Sequence, residues 1–232
     1  SSDEDFNGAI FYSTGTPYTA IQSDFYKPID TPLDTDNDGI GDTMDEYPTD
    51  PAKAFNNYYP AKNIVGTLAF EDLWPHRGDY DFNDLVVDYN FNQITNADNK
   101  VVEIDASLTV RAIGASSRNG FALMLNTSNT NIKSVTGQSL VKDIFSIAAN
   151  GAENRQAKAV IPVFDDAFTF IGKNGFVNTV QGEAYTNPKT ATINIKLNTP
   201  VAISDFGTPP YNAFIVIDSD RTKEVHLPGS AP

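Results

Sequence analysis

Cysteine is absent from the 232 residues, which removes disulfides, zinc-thiolate centres and thiol nucleophiles as readings. It does not assign a compartment. Histidine occurs twice, at His76 and His226, and tryptophan once, at Trp74. No His-Glu-x-x-His, Gly-x-Ser-x-Gly or phosphate-cradling P-loop is present. No apolar run approaches the roughly twenty residues that a membrane helix needs, and no signal-peptide pattern appears. Positive charge is scarce: 16 Lys and Arg against 30 Asp and Glu leave a net charge of −14. That balance argues against nucleic acid or an anionic membrane as partner. The excess is also local. Residues 34–88 hold 13 acids and 3 bases, net −10, whereas the rest, with 17 and 13, carries −4. Cation sites produce such an imbalance; a general solubilising coat does not.

The densest acidic stretch is Asp34-Thr-Asp-Asn-Asp-Gly-Ile-Gly-Asp-Thr-Met-Asp45. Counted as a twelve-position calcium loop, it places Asp34, Asp36, Asp38, Asp42 and Asp45 at positions 1, 3, 5, 9 and 12. Gly39 falls at the sharp turn of position 6, and the backbone carbonyl of Ile40 at position 7. Calcium takes roughly six to eight hard oxygen ligands, and this spacing wraps them around one ion. Without a cation, so many carboxylates repel one another; the competing reading is a solvated acidic linker. An EF-hand would carry a bidentate Glu at position 12, where this chain has Asp45. Pro28, Pro32, Pro48 and Pro51 leave no room for flanking helices, so a helix-loop-helix sensor is excluded. The loop resembles one unit of a thrombospondin type 3 repeat, over about a dozen residues and once only. That likeness implies structural calcium on an extracellular protein.

The rest of the chain reads as strands. Short ones are expected near Ala9–Tyr12 and Tyr18–Phe25, among aromatics suited to a core or, alternatively, to sugar stacking. Thr49 or Asp50 followed by Pro51 suggests a helix of one or two turns. From Ile64 onward the texture is strand after strand: 64–70, 85–91, 101–112, 121–125, 159–164, 191–197, 213–218 and 223–227. Leu85, Val87, Tyr89 and Phe91 alternate with Val86, Asp88 and Asn90, and Val102, Ile104, Ala106, Leu108 and Val110 should share one face. Such period-two patterns mark antiparallel strands over a common core. Ser139–Ala149 is open between a short helix and an irregular strand, and Asp165–Gly172 suits a single helical turn. The expected fold is all-β, an antiparallel, jelly-roll-like β-sandwich over residues 61–232, preceded by a segment, 1–60, that carries the calcium loop.

A second acidic constellation lies between the strands 64–70 and 85–91. Glu71 and Asp72 end one strand; Asp79, Asp81, Asn83 and Asp84 precede the next. The steps of two match the first half of a calcium loop, but Asp84 stands where glycine would be needed, so the geometry must differ. Two readings compete: a second structural cation site, or turn and strand-end capping by side chains that bond their own backbone. Trp74 and Pro75 are expected to shelter this loop, with ligand stacking as the lesser reading, and His76 to pair with a carboxylate.

The run Gly66-Thr-Leu-Ala-Phe-Glu-Asp-Leu-Trp-Pro75, followed by Gly78-Asp-Tyr-Asp-Phe-Asn-Asp-Leu-Val-Val-Asp-Tyr89, resembles the LruC-domain family of Bacteroides-type surface proteins. So do Arg111-Ala-Ile-Gly, Asn119-Gly-Phe, Ala159-Val-Ile-Pro-Val-Phe-Asp-Asp-Ala-Phe and Glu224-Val-His-Leu-Pro-Gly. The resemblance runs from about Asp34 to the end. It implies a β-rich, exported protein at the cell surface, an outer-membrane lipoprotein anchored outside this sequence, and it implies no reaction. Members continue past the His-Leu-Pro-Gly motif, so more chain is expected after residue 232. The acidic start reads as a mature N-terminus or an arbitrary boundary.

For catalysis, a paired-carboxylate glycosidase is the most plausible form, with Glu71, Glu103 and Asp105 as nominal candidates; His226 reads as a strand residue. The leading expectation is a non-catalytic, calcium-stabilised surface protein with a structural or adhesive role, meeting another surface protein. The alternative is a calcium-dependent glycan-binding module.

Overall fold

Ten strands, two short helices and long polar connections make up residues 33–230, the part that the computed structural model describes. The strands expected near 9–12 and 18–25 lie outside these residues. One sheet contains β1 (Phe55–Tyr59), β2 (Gly66–Phe70), β3 (Leu85–Thr95), β4 (Lys100–Ala112), β8 (Lys189–Ala202) and β6 (Ile132–Thr136). Its order is β1-β3-β4-β8-β6, and β2 also pairs with β3. The other sheet runs β10 (Glu224–His226), β9 (Asn212–Val216), β5 (Gly120–Ser128), β7 (Lys158–Phe164). Every strand pairing is antiparallel. From β4 to β9 consecutive strands alternate between the sheets. Each connection therefore passes from one sheet to the other, and in that sense the all-β sandwich is jelly-roll-like.

The alternation of the sequence sets the inner faces. Leu85, Val87 and Phe91 of β3 and Ile104, Ala106, Leu108 and Val110 of β4 meet Phe121, Leu123 and Leu125 of β5 and Ile161 and Val163 of β7. Fully burying one such side chain contributes about 1.5–3 kcal/mol, so the inward set dictates the register. Val102 departs from expectation. A register shift between Val101 and Glu103 buries Val101 and turns Val102 outward, because a bulge adds one residue and flips the alternation.

The four-stranded sheet is covered on both sides. Phe145 packs with Ala122, Val160, Phe214 and Val216 on its outer face. This explains the near-continuous apolar runs of β5 and β7, and it resolves Ser139–Ala149 as an irregular covering segment. The helical turn at 165–172 is present: α1 (Ala167–Ile171) starts at Asp166 and ends at Gly172, whose φ is 81°.

The helix expected after Pro51 does not form. Asp50 and Pro51 make only a turn, with the Lys53 N–H donating to the Asp50 carbonyl at 2.9 Å. The Ala54 N–H then goes to the Thr95 carbonyl at 2.7 Å, and the chain enters β1. The compact unit that holds the sandwich begins at Leu33. The second acidic constellation lies at one end of the sandwich. There the end of β2, the start of β3 and the connection from β4 to β5 converge.

Candidate metal centres

In the 34–45 loop the acids occupy the sheltered side. Asp34, Asp36 and Asp38 are half-buried, whereas Leu33, Thr35, Asn37 and Gly39 are exposed. Each acid closes a small turn. Asp34 accepts from the Asn37 N–H at 2.7 Å and the Gly39 N–H at 3.1 Å; Asp36 accepts from Asp38 N–H, Asp38 from Ile40 N–H at 2.8 Å, and Asp45 from Tyr47 N–H at 2.6 Å. Gly39 has a φ of 97°, a conformation costly for any residue with a Cβ. One carboxylate oxygen each of Asp34, Asp36 and Asp38 lies within 4.8 Å of the others.

The remaining oxygens decide the chemistry. Asp36 Oδ2, Asp38 Oδ2 and Asp45 Oδ2 are buried and have no hydrogen-bond partner, and Asp45 is only 7% exposed. Buried carboxylate oxygens left unpaired are costly. Desolvation, joined by the charges of Asp38, Asp45 and Asp34, pushes the Asp36 carboxyl above its ordinary value. A hard cation would satisfy both the oxygens and the charge. Asp42 stands apart: its two oxygens accept from Thr35 N–H at 2.7 Å and Thr35 Oγ1 at 2.6 Å. The hydrogen bond recorded for Ile40 is the one its N–H donates.

The second constellation is brought together by the sheet. β2 pairs with β3 so that Phe70 faces Leu85, which sets Glu71 and Asp72 beside Asp84. All three are buried, and an oxygen of each lies within 4.8 Å of the others. Asp84 accepts from the Asp72 N–H at 2.7 Å, and Asp72 accepts from Asn119 Nδ2 at 3.1 Å. Burial first, then the charges of Asp72 and Glu71 and a hydrogen bond with Glu71, raise the Asp84 carboxyl to about 7 against the pull of the Asp72 N–H. With its carboxyl raised to about 7, Asp84 carries a proton part of the time near neutrality in the absence of a cation. Glu71 Oε2 is buried without a partner, in a residue only 2% exposed.

A further group pairs Glu71 with Asp79 and Asp81, both exposed, again within 4.8 Å. Gly78 permits this approach, since a Cβ there would lie 2.4 Å from Glu71 Oε1. Asp81 also accepts from the N–H of Asn83 at 3.3 Å and from its side-chain nitrogen. Asn83 Oδ1 presses on Gly114, where a Cβ would clash. Asp84 and Asp81 thus cap backbone amides, yet buried Glu71 retains an oxygen that capping leaves unpaired.

Sequence reasoning missed Asn119, Gly114, Ser116, Ser117 and Phe176. With Glu71, Asp72, Asp79 and Asp84, the last four line a cleft of about 550 Å³. They come from distant segments; Gly114 and Asn119 fall within the Arg111-Ala-Ile-Gly and Asn119-Gly-Phe motifs, but nothing local ties either to the acids of 71–84. Trp74 does not shelter the loop: it is 53% exposed, beside the exposed Tyr80 and Phe82, with its ring 6.5 Å from that of Tyr80. Pro75 is exposed too. Among the described residues neither His76 nor Arg77 forms an ion pair. His226 ends β10, bonded to Asn212 and Glu224. Glu103 and Asp105 lie along β4, where Asn194 of β8 donates to both.

The model of a family described as "Domain of unknown function (DUF4842)" matches residues 99–232. No curated protein matches the chain. Among solved structures, one described as a "Putative lipoprotein from Bacteroides ovatus" is similar at a TM-score of 0.51 and 15% identity. The match covers 77% of this chain and 56% of that one, so this chain spans little more than half of that structure's length. At that identity the likeness is one of fold.

Proposed function

The chain belongs to the DUF4842 family, and from that premise we propose that it is a calcium-binding, non-catalytic surface protein with a structural or adhesive role. One observation carries the reading. Four buried carboxylate oxygens, on Asp36, Asp38, Asp45 and Glu71, have no hydrogen-bond donor, and they sit in or beside clusters of further acids. The oxygen-only donor set and the twelve-position spacing of the loop favour calcium over softer metals. The LruC-like motifs, and the lipoprotein of similar fold, support a location at the cell surface with a lipid anchor outside residues 1–232.

The test is thermal. An ion that binds only the folded state stabilises it by about 2.7 kcal/mol per site at a hundred times its Kd. Protein stripped with a chelator should melt several degrees below the same protein in millimolar calcium. An unchanged midpoint at low ionic strength would sink the proposal.

A second reading is favoured by Trp74, Tyr80 and Phe82, exposed on the loop that carries Asp79 and Asp81. Aromatic faces beside an accessible cation suit a sugar, and the module would then capture glycans in a calcium-dependent way. A glycan array with and without calcium separates the two readings.

A further inference from the structure

The Glu71 carboxylate belongs to two acidic groups at once, one with Asp72 and Asp84 and one with Asp79 and Asp81. Two oxygens bound to a single calcium, each at 2.3–2.6 Å, can be at most about 5.2 Å apart. Within 4.8 Å of one another, comfortably inside that limit, the oxygens form two groups of three that share Glu71. We propose that the 71–84 region is a two-cation site in which Glu71 bridges an inner and an outer calcium ion.

The two positions differ in kind. The inner ion lies among three buried acids, where Asn119 from the start of β5 holds Asp72. The outer ion takes its remaining ligands from exposed Asp79 and Asp81, and three carboxylates leave part of a six- to eight-fold shell open. Water, or an oxygen-rich ligand in the adjoining cleft, fills those places. Glu71 suits the bridging role. Its Oε2 is buried and unpartnered, and its Oε1 lies against Gly78, next to Asp79 in the chain. Without the inner ion, the charge of the buried Glu71, Asp72 and Asp84 would stay uncompensated beside the core. The inner ion fixes the strand ends, and the outer ion fixes the loop that presents Trp74 and Tyr80.

This inference rests on the calcium reading above, and ion counting separates the two. Chelator-stripped full chain is dialysed to equilibrium against calcium, and bound ions are counted by atomic emission. The expected count is three: one in the 34–45 loop and two here. Asp79→Asn combined with Asp81→Asn, both on exposed residues, should remove one ion while leaving circular dichroism unchanged. Asp84→Asn should remove the inner ion, and Glu71→Gln both. Terbium luminescence sensitised through Trp74 should fall in the Asp79/Asp81 double variant and vanish in Trp74→Phe if that ring is the donor. A wild-type count of two, with the 71–84 ion surviving the double variant, would overturn the bridge and leave the calcium reading standing. A count of zero would overturn both.

Discussion

Lys53 and Glu103 show how single side chains decide the balance at the sandwich surface. Lys53 Nζ lies 2.6 Å from Glu103 Oε2, and Asn194 donates to the other carboxylate oxygen at 2.5 Å. Burial alone would raise the Glu103 carboxyl, but hydrogen bonds from Lys53 and Asn194 outweigh it and hold the group below its ordinary value. A carboxyl whose pKa is depressed by folding stabilises the protein above its unfolded pKa, and that stability is lost as pH falls through the folded one. Lys53→Met should therefore cost about 1–3 kcal/mol at pH 7, since it leaves a buried acceptor unpaired. It should also flatten the acid limb of the stability curve below pH 4.5. Urea unfolding at pH 7 and at pH 3.5 checks both; an equal loss at the two values would remove the pair from the account.

Among the elements, α1 depends most on one residue. Asp166 accepts from the N–H groups of Phe168 and Thr169, from Thr169 Oγ1, and from Arg118 at 2.5 Å. A helix of five residues cannot persist by propensity, so its cap and its buried phenylalanines hold it in place. Asp166→Ala should cost about 1–2 kcal/mol, chiefly through the lost cap, because the Arg118 side chain is 43% exposed and water can replace its partner. Asp166→Asn, which keeps the cap, should cost less. Equal losses on denaturant unfolding would assign the stabilisation to Arg118 alone. This helix was legible in the sequence because cap and terminal glycine are local signals. β1 and β6 were not. Phe-Asn-Asn-Tyr-Tyr lacks alternation, and Ile-Lys-Ser-Val-Thr is short; both become edge strands because β3 and β8 offer unpaired edges. The same competition overrode the helix signal at Pro51.

Over the whole molecule the charge of −14 is concentrated where the two acidic clusters lie. Salt screens such repulsion without matching the geometry of a site, whereas calcium does both. For chelated protein, sodium chloride at 0.5 M should raise Tm modestly, calcium at millimolar concentration by more, and magnesium by less than calcium, because it demands a stricter octahedron. Differential scanning calorimetry in the three salts checks the order. Equal gains at equal ionic strength would reduce the clusters to plain surface charge.

The sequence by itself determined the twelve-position loop, with Gly39 at its turn, and the inward faces of β3 and most of β4. It also determined that this chain folds as a sandwich. All of these depend on spacings within a few residues, where backbone geometry maps position directly onto direction in space. Only the tertiary structure decided that Asp42 turns to Thr35, that Val101 replaces Val102 in the core, and that Asn119 reaches Asp72 across 47 residues of chain. It likewise divided the acids of 71–84 between two clusters that meet at Glu71. Those outcomes depend on which strands pair and where a bulge falls. The pairing is settled by packing between segments far apart in the chain, which no local pattern encodes.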